Sequence, residues 1–373
     1  MNVSDLSARE LSYRLRETSL RFRTGPFAFS LRTDLHGMSD AIGVLYGDFP
    51  LTDSQYADFH VAVCRLHGLR HVFSPRAAFL EGGASQFDFP LSSALPFLEW
   101  GLNRCVFRSA NNYLMVHAAT VERNGRALFL VGASGSGKST LCAALVLSGW
   151  RLLSDEIALI SPNDGKVAGL ARPVGLKDES IGLIQNFAPG VFIGPASRTA
   201  AKGIVAHMRP PQSSVLRAQE KASPALVCFV KYERGAPLRW QTVSKAQAMI
   251  RIAKCGLNYG LLGQKGFETI ARVVDSCDSV ELTYSRLQEG VALLNGPDFA
   301  GKLLAGGTSR EQAHVIDTAF GRLAPPGENG DFAAAGVGIA GERRSHHPPS
   351  VQTQRASRKS FSGPDPRKSP SSS

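Results

Sequence analysis

The chain has 373 residues, of which 43% are hydrophobic and 20% are charged, and its formal net charge at pH 7 is +11. At about 150 residues per domain, this length predicts two domains, or one large domain with appendages. The apolar content suffices for a sizeable core and excludes wholesale disorder. No stretch approaches the roughly 20 apolar residues of a membrane span. Because the N-terminus also mixes charges throughout, we expect no secretory signal and a cytoplasmic protein.

Most of the excess positive charge lies near the C-terminus. Residues 343–373 contain seven Lys or Arg residues against one acidic residue, in a segment rich in Ser and Pro. Such a segment cannot bury enough apolar surface to fold by itself. We therefore predict a disordered, basic, Ser/Pro-rich tail over residues 320–373. Since runs of like charge are usually solvated, a solvated disordered tail is favoured over a nucleic-acid-binding segment.

Short apolar runs separated by turn signals make up the first part of the chain. The runs at 27–32 and 59–63 alternate apolar and polar residues, and this period of two predicts strands. No catalytic motif is found among them. The pattern predicts a smaller N-terminal domain of mixed α+β structure over residues 1–112, followed by a second domain over residues 113–300.

The second domain shows alternating strand and helix signals. In chain order these are a strand at 113–121, a hairpin turn at Asn124 and Gly125, a return strand at 127–131, a helix at 139–147, a strand at 151–160, a buried strand at 225–230 and a mostly helical stretch at 245–295. A strand, a helix and a second strand at this spacing predict a parallel βαβ unit, and hence an α/β fold.

A phosphate-binding motif lies between the predicted return strand and helix. Residues 132–139, GASGSGKS, fit the pattern G-x-x-x-x-G-K-[ST]. Its glycines let backbone N–H groups turn inward around a polyphosphate, and the following helix adds its positive end. Lys138 is expected to bridge the β- and γ-phosphates of ATP, and the Ser139 hydroxyl to coordinate Mg²⁺. The predicted nucleotide-binding residues are Gly132, Ala133, Ser134, Gly135, Ser136, Gly137, Lys138, Ser139 and Thr140.

An acidic pair follows this loop closely. Asp155 and Glu156 come 17 and 18 residues after Lys138, about one helix and one turn later. Both carboxylates are therefore expected across from the γ-phosphate, where one can hold Mg²⁺ and the other can accept a proton from an attacking hydroxyl. We predict Asp155 as a metal ligand together with Ser139, and both acids as candidate bases.

His117 lies on the predicted strand before the hairpin. It could reach the phosphate region if that strand neighbours the loop strand, or it could be a packed core histidine. The residues alone leave both interpretations open.

These features together resemble the core of the HPr kinase/phosphorylase family. The resemblance is closer to the HPr kinase-related kinase A group, which is found beside exosortase systems, and it spans roughly residues 20–295. Its blocks in this sequence are 24–27, 98–103, 116–118, 132–139, 149–156, 172–180, 205–211, 258–259 and 284–285. The resemblance implies the phosphoenolpyruvate-carboxykinase-like version of the P-loop fold, so that residues 113–300 would be a P-loop kinase domain.

The resemblance also implies an activity, which is phosphorylation of a hydroxyl by ATP, in the parent family a protein serine. The acceptor would be a protein or peptide encoded near exosortase genes, and the chain would form a homo-oligomer if the parent family's hexamers carry over. Lys138 and Ser139 match the family's phosphate lysine and Mg²⁺ ligand, and His117 its active-site histidine. Glu156 stands at the second acid, where the family has Asp.

Further residues enter through this comparison. Where the family has a downstream Mg²⁺-binding Glu, this chain has Ala171, so Asp178 or Glu179 would have to substitute. Arg172 and Lys177 are predicted catalytic cations that offset the charge of the transferring group. His207 and Arg209 are further candidates.

Two other functions remain compatible with the loop. A small-molecule kinase of the shikimate- or nucleotide-kinase type places acids at a similar spacing after the lysine. A P-loop nucleotide-binding switch or ATPase needs no acceptor at all.

Overall fold

The structure is a computed structural model that describes residues 1–200, 202–297 and 299. Within these residues, helices pack against several sheets in a mixed α/β arrangement. None of the described helices is long and apolar enough to cross a membrane. The tail predicted over residues 320–373 lies outside the described residues.

The first sheet is built from residues 20–90. Its strands are β1 (Leu20–Thr24), β2 (Phe27–Thr33), β3 (Phe59–Arg65), β4 (Arg76–Glu81) and β5 (Ala84–Pro90). They lie side by side in chain order; β2 and β3 are parallel, and the other neighbours are antiparallel. The strands predicted at 27–32 and 59–63 are confirmed as β2 and β3.

The helical segments of this part surround the sheet. They are a 3-10 turn at Val3–Asp5, α1 (Ala8–Tyr13), a π-helical turn at Arg14–Thr18, α2 (Met38–Leu45), α3 (Leu69–Phe73), a 3-10 turn at Leu91–Ser93 and α4 (Ala94–Ser109). Helix α4 buries Leu95, Leu98 and Leu102 in the core, at the spacing of an amphipathic helix. Gly101 permits a close approach to β4, because a Cβ there would lie 2.3 Å from the Phe79 ring.

The remaining strands form a central sheet and a small third sheet. In chain order they are β6 (Leu114–Arg123), β7 (Arg126–Val131), β8 (Arg151–Ser154), β9 (Ile157–Ile160), β10 (Val167–Ala168), β11 (Val174–Lys177), β12 (Ser197–Thr199), β13 (Gly203–Met208), β14 (Ser223–Tyr232), β15 (Arg239–Thr242) and β16 (Asp278–Tyr284). The central sheet has the order β10-β9-β6-β7-β14-β16-β15, with β8 beside β6, and the third sheet has the order β11-β13-β12.

The hairpin and the βαβ unit predicted from the sequence are both present. Asn124 and Gly125 join β6 to β7, both with positive φ, as a two-residue turn of this kind requires. Strands β7 and β8 are each antiparallel to β6, and they therefore run parallel to each other on its two sides. Helix α5 (Lys138–Leu147) connects them.

Two predicted elements differ in the structure. The strand expected at 151–160 is interrupted at Asp155 and Glu156, and its halves β8 and β9 pair separately with β6. A local turn explains the break, because the Ile157 N–H donates to Ser154 Oγ at 3.2 Å. The stretch expected to be mostly helical at 245–295 also contains β16, which lies between β14 and β15.

Helices cover both faces of the central sheet. After α5 they are α6 (Glu179–Phe187), α7 (Gln212–Leu216), α8 (Lys245–Lys254), α9 (Tyr259–Leu262), α10 (Gln264–Ser276) and α11 (Leu287–Asn295). Side chains alternate along β7: Leu128 and Leu130 pack with α5 and α11, whereas Phe129 and Val131 pack with α8 and α10. A strand that is buried on both faces has apolar residues at successive positions, and β7 has such a continuous apolar run.

The core of the first sheet continues into the central sheet. Met115, Ile157 and Leu159 belong to the same hydrophobic cluster as the residues of β2, β3 and α4. This continuity brings α4 close to the break between β8 and β9. A domain boundary at residue 112 stays a prediction from the sequence.

Candidate active site

The loop at 132–137 joins β7 directly to the start of α5. Gly137 has φ +90°, in the left-handed region that favours glycine, and a Cβ there would lie 2.5 Å from Tyr284 Oη. The Tyr284 hydroxyl donates to Gly137 O at 3.2 Å, and the Tyr232 N–H donates to Ser136 O at 2.9 Å. Two tyrosines from β14 and β16 therefore fix the end of the loop where α5 begins.

Lys138 folds back across this loop. Its Nζ donates to Gly132 O at 2.7 Å and to Ala133 O at 2.9 Å, and the residue is buried. Burial lowers the pKa of Lys138, while Asp155 opposes that shift. The ammonium group is thus held at the mouth of the loop.

Asp155 lies in the break between β8 and β9, facing the start of α5. Its Oδ2 accepts the Gly175 N–H at 3.0 Å, whereas its buried Oδ1 has no hydrogen-bond partner among the described residues. Burial raises the pKa of Asp155 to about 7, and Glu156 adds to the rise. The Gly175 N–H, the Ser139 hydroxyl and Lys138 lower it in part. The Asp155 carboxyl group therefore interacts with both the lysine and the serine at the start of α5.

The neighbouring Glu156 is oriented by helix α4. Its Oε2 accepts a hydrogen bond from Asn103 Nδ2 at 3.3 Å, and Asn103 Oδ1 accepts one from Arg172 Nη1 at 2.8 Å. Because a guanidinium group only donates, it fixes the Asn103 amide with its NH₂ toward Glu156. Helix α4 thereby fixes the orientation of the Glu156 carboxylate through Asn103.

His117 approaches the acid pair from β6. Its Nδ1 lies 3.2 Å from Glu156 O, and since a carbonyl can only accept, Nδ1 carries the proton and Nε2 is left as an acceptor. Burial lowers the pKa of His117, and the charge of Lys138 lowers it further. Both effects favour the neutral form of the histidine. It lines the same cleft as the loop, which favours the site interpretation over the core interpretation.

Arg172 does not line the cleft that the acid pair lines; it contacts helix α4 instead. Its guanidinium forms a buried ion pair with Glu99, donates to Glu99 O at 2.9 Å and holds Asn103. The Tyr46 hydroxyl completes the group by donating to Glu99 Oε1 at 2.6 Å. Direct contact of Arg172 with a phosphoryl group, expected from the sequence, is not supported by this placement. The reason is that Asn103 and Glu99 engage Nη1 and Nη2 of its buried guanidinium group.

The Glu99–Arg172 pair leads to a prediction about stability. Replacing Arg172 by methionine should lower the free energy of unfolding by about 3–5 kcal/mol, because the charge of Glu99 stays buried without its partner. Adding Glu99→Leu should restore part of the loss, since no buried charge then remains.

Urea denaturation of the variants measures this effect. The exposed pair Arg234–Glu179 provides the control, and Glu179→Gln should cost less than about 1 kcal/mol. If Arg172→Met costs no more than this control, the ion pair does not stabilise the fold as inferred.

The other predicted residues divide between the cleft and its surroundings. A cleft of about 1010 Å³ opens in front of the loop. Predicted residues on its walls are His117, Ser134, Gly135, Gly137, Lys138, Ser139, Thr140, Asp155, Glu156, Lys177, Asp178 and Glu179. Predicted residues that do not line it are Gly132, Ala133, Ser136, Arg172, His207 and Arg209. Among the cleft residues, Lys177 lies close enough to lower the pKa of both His117 and Lys138.

Arg209 and His207 have other surroundings than the sequence suggests. Arg209 donates through Nε and Nη2 to Asp48 Oδ2, at 3.0 and 2.6 Å. His207 is buried on β13 beside Gly175 of β11, and its Nδ1 has no hydrogen-bond partner among the described residues. Neither residue faces the cleft.

Sequence reasoning missed several residues that shape the site. Asn103 holds Glu156, and Tyr232 and Tyr284 pack edge to face at the loop, with ring centroids 5.8 Å apart. Asn103 and Tyr284 stand in blocks of the family resemblance, which was the available signal. Their roles depend on contacts between residues far apart in the chain.

Comparisons with known proteins give partial matches. A family model described as SynChlorMet cassette protein ScmC matches residues 98–170, about a fifth of the chain, from α4 through the loop and the acid pair. Among solved structures, the chain is similar to the HPr(Ser) kinase/phosphatase from Coxiella burnetii, at 12% identity and a TM-score of 0.24, covering 48% of this chain and 91% of that one. A TM-score this low supports no inference about site or activity. No curated protein matches the chain.

Proposed function

We propose that this protein is an ATP-dependent phosphotransferase that moves the γ-phosphoryl group of Mg·ATP to a hydroxyl, a serine of a protein or peptide acceptor. The observation that carries the proposal is the shared cleft. Lys138 and Ser139 at the loop, and the two acids opposite them, line one opening of about 1010 Å³. Phosphoryl transfer requires this combination of a phosphate cradle, a metal ligand and a group that orients the attacking hydroxyl.

The residues present fit a magnesium ion. Mg²⁺ is usually bound by one or two carboxylates together with substrate phosphates and water. Asp155 Oδ1 is a buried carboxyl oxygen without a partner among the described residues, and the Ser139 hydroxyl faces the same carboxyl group. When bound there, Mg²⁺ would offset phosphate charge.

The two substitutes proposed for the family's downstream metal ligand are already engaged. Glu179 pairs with Arg234, and Asp178 Oδ1 accepts the Ile204 N–H at 2.9 Å. We therefore assign Ser139 and Asp155 as the protein ligands of Mg²⁺.

Glu156 is the proposed base. Asn103 occupies Oε2, so that Oε1 can accept the proton of the acceptor hydroxyl while the oxygen attacks the γ-phosphorus. The bond between the γ-phosphorus and the leaving oxygen of ADP breaks as the new one forms. Lys138 and Lys177 offset the negative charge on the transferring group. The metal role leaves Asp155 less suited to accept this proton.

Labelled ATP tests the proposal. The protein is incubated with γ-labelled ATP, Mg²⁺ and candidate acceptors, among them small proteins encoded near exosortase genes. Transfer of label to a serine supports the proposal. Label on a metabolite would instead indicate a small-molecule kinase, and release of phosphate alone would indicate a nucleotide switch or ATPase.

The left-handed glycines at the two ends of α5 give a further prediction. Gly137→Ala should weaken ATP binding at least about tenfold, because its Cβ would meet Tyr284 Oη and displace the loop amides. Gly149 is the matched control: its φ is +96°, but no atom lies within 4 Å of an added Cβ. Gly149→Ala should cost about 1–2 kcal/mol of stability and leave ATP binding unchanged. Calorimetric titration with ATP and thermal unfolding separate the two effects; equal ATP affinities would contradict the prediction.

A further inference from the structure

A second, small cavity lies behind the acid pair, on the side away from the loop. It is lined by Glu99 and Asn103 of α4, by Arg172, by His207 of β13 and by the acids themselves, among others. Its volume of about 30 Å³ exceeds the roughly 10–15 Å³ that one water molecule needs. The cavity therefore has room for one or two water molecules.

Three buried polar atoms on residues of this wall have no hydrogen-bond partner among the described residues. They are Arg172 Nε, His207 Nδ1 and Asp155 Oδ1, and their residues are 5%, 6% and 7% exposed. Buried polar atoms in folded proteins are nearly always satisfied, by protein groups or by ordered water. Because the three residues that carry these atoms all line one cavity of this size, the cavity is a candidate solvent site.

The donors and acceptors are complementary to water. Arg172 Nε–H can only donate, so a water molecule would accept there. Burial lowers the pKa of His207 and so favours the neutral ring, in which Nδ1 can accept when Nε2 carries the proton. Asp155 Oδ1 has two lone-pair directions, and it can accept from water on one side while facing a metal on the other.

We propose that this cavity is a binding site for fixed water, in which one or two molecules accept from Arg172 Nε and donate to His207 Nδ1 and Asp155 Oδ1. The water links the buried Glu99–Arg172 pair to the carboxyl group that faces the loop. Asp155 is then held from behind by water and from the side by the Gly175 N–H, and its position is fixed before any ligand arrives. This proposal does not depend on the reaction that the cleft carries out.

A crystal structure of the full chain, at a resolution that shows ordered water, tests the site. We expect density in the cavity within about 3.2 Å of both Arg172 Nε and His207 Nδ1. Absence of such density, in a map that resolves other buried waters, would overturn the proposal. The presence of this density does not depend on whether the protein transfers phosphate from labelled ATP. The water site and the proposed phosphotransferase activity can therefore be refuted independently.

Two variants of His207 identify the ligands of the water. In His207→Asn the amide group can occupy the position of Nδ1, and the density should remain. In His207→Leu that partner is lost, and the density should weaken or move; magnetic relaxation dispersion in solution should count fewer long-lived waters. Unchanged density in His207→Leu would contradict the role of His207. If His207→Leu does not fold, the wild type and His207→Asn still decide whether the site holds water.

Discussion

Replacing Lys138 by alanine is expected to lower the rate of phosphoryl transfer by at least about 10²–10³-fold and to weaken ATP binding. The ammonium group lies at the mouth of the loop, where it would meet the β- and γ-phosphates and the charge that develops between them. Loss of one preorganised group of this kind typically lowers kcat by about 10²–10³-fold. Initial rates with labelled ATP and calorimetric titration measure the two effects.

The design needs a control for lost structure, since Lys138 also binds two loop carbonyls. Lys254→Ala, at an exposed position near the end of α8, should leave both transfer and ATP binding unchanged. Thermal unfolding of both variants should show that the fold persists. If Lys138→Ala transfers phosphate as fast as Lys254→Ala, the loop does not hold the reacting triphosphate.

Local features of the site were predictable because short-range rules determine them. Asn124 and Gly125 both adopt positive φ, which the sequence pair alone predicts. The strand, loop and helix around residues 126–147 follow from an apolar run, closely spaced glycines and a helix-forming segment. The alternating burial of Val280, Leu282 and Tyr284 in β16 was also readable, but the helical segments on either side concealed it.

Partnerships across the chain were not predictable in the same way. Arg172 contacts Glu99, which precedes it by 73 residues, and Glu156 contacts Asn103, 53 residues before it. The family resemblance suggested a phosphate contact for Arg172. Only the packing of α4 against the break between β8 and β9 shows that the Glu99 carboxylate binds the Arg172 guanidinium group instead. Asp155 in this break is likewise held by a residue distant in sequence, because its Oδ2 accepts the Gly175 N–H.

The acid pair gives the most discriminating prediction. The double variant Asp155→Asn with Glu156→Gln should still bind ATP through the loop and Lys138, yet lose transfer. The two single variants should have different effects, because one acid is the proposed base and the other the proposed metal ligand. Glu156→Gln should lower kcat by about 10²–10⁴-fold, the usual contribution of a general base. Asp155→Asn should instead raise the Mg²⁺ concentration required, because a metal ligand has lost its charge.

Stability as a function of pH shows whether lost transfer reflects lost structure. Burial raises the pKa of Asp155 from 3.8 to about 7. An acid with a raised pKa stabilises the fold most when protonated, so its contribution is complete below pH 4 and is lost as the pH rises through about 7. Asn cannot ionise, and Asp155→Asn should therefore match or exceed the wild type in stability above pH 7.

If a variant is at least as stable as the wild type above pH 7 but no longer transfers phosphate, it has kept its fold and lost its catalytic activity. Chemical denaturation at pH 5 and pH 8 supplies the comparison, and the control Glu179→Gln, at an exposed position, should follow the wild type at both pH values. Transfer at the wild-type rate by the double variant would refute the assignment of both acids.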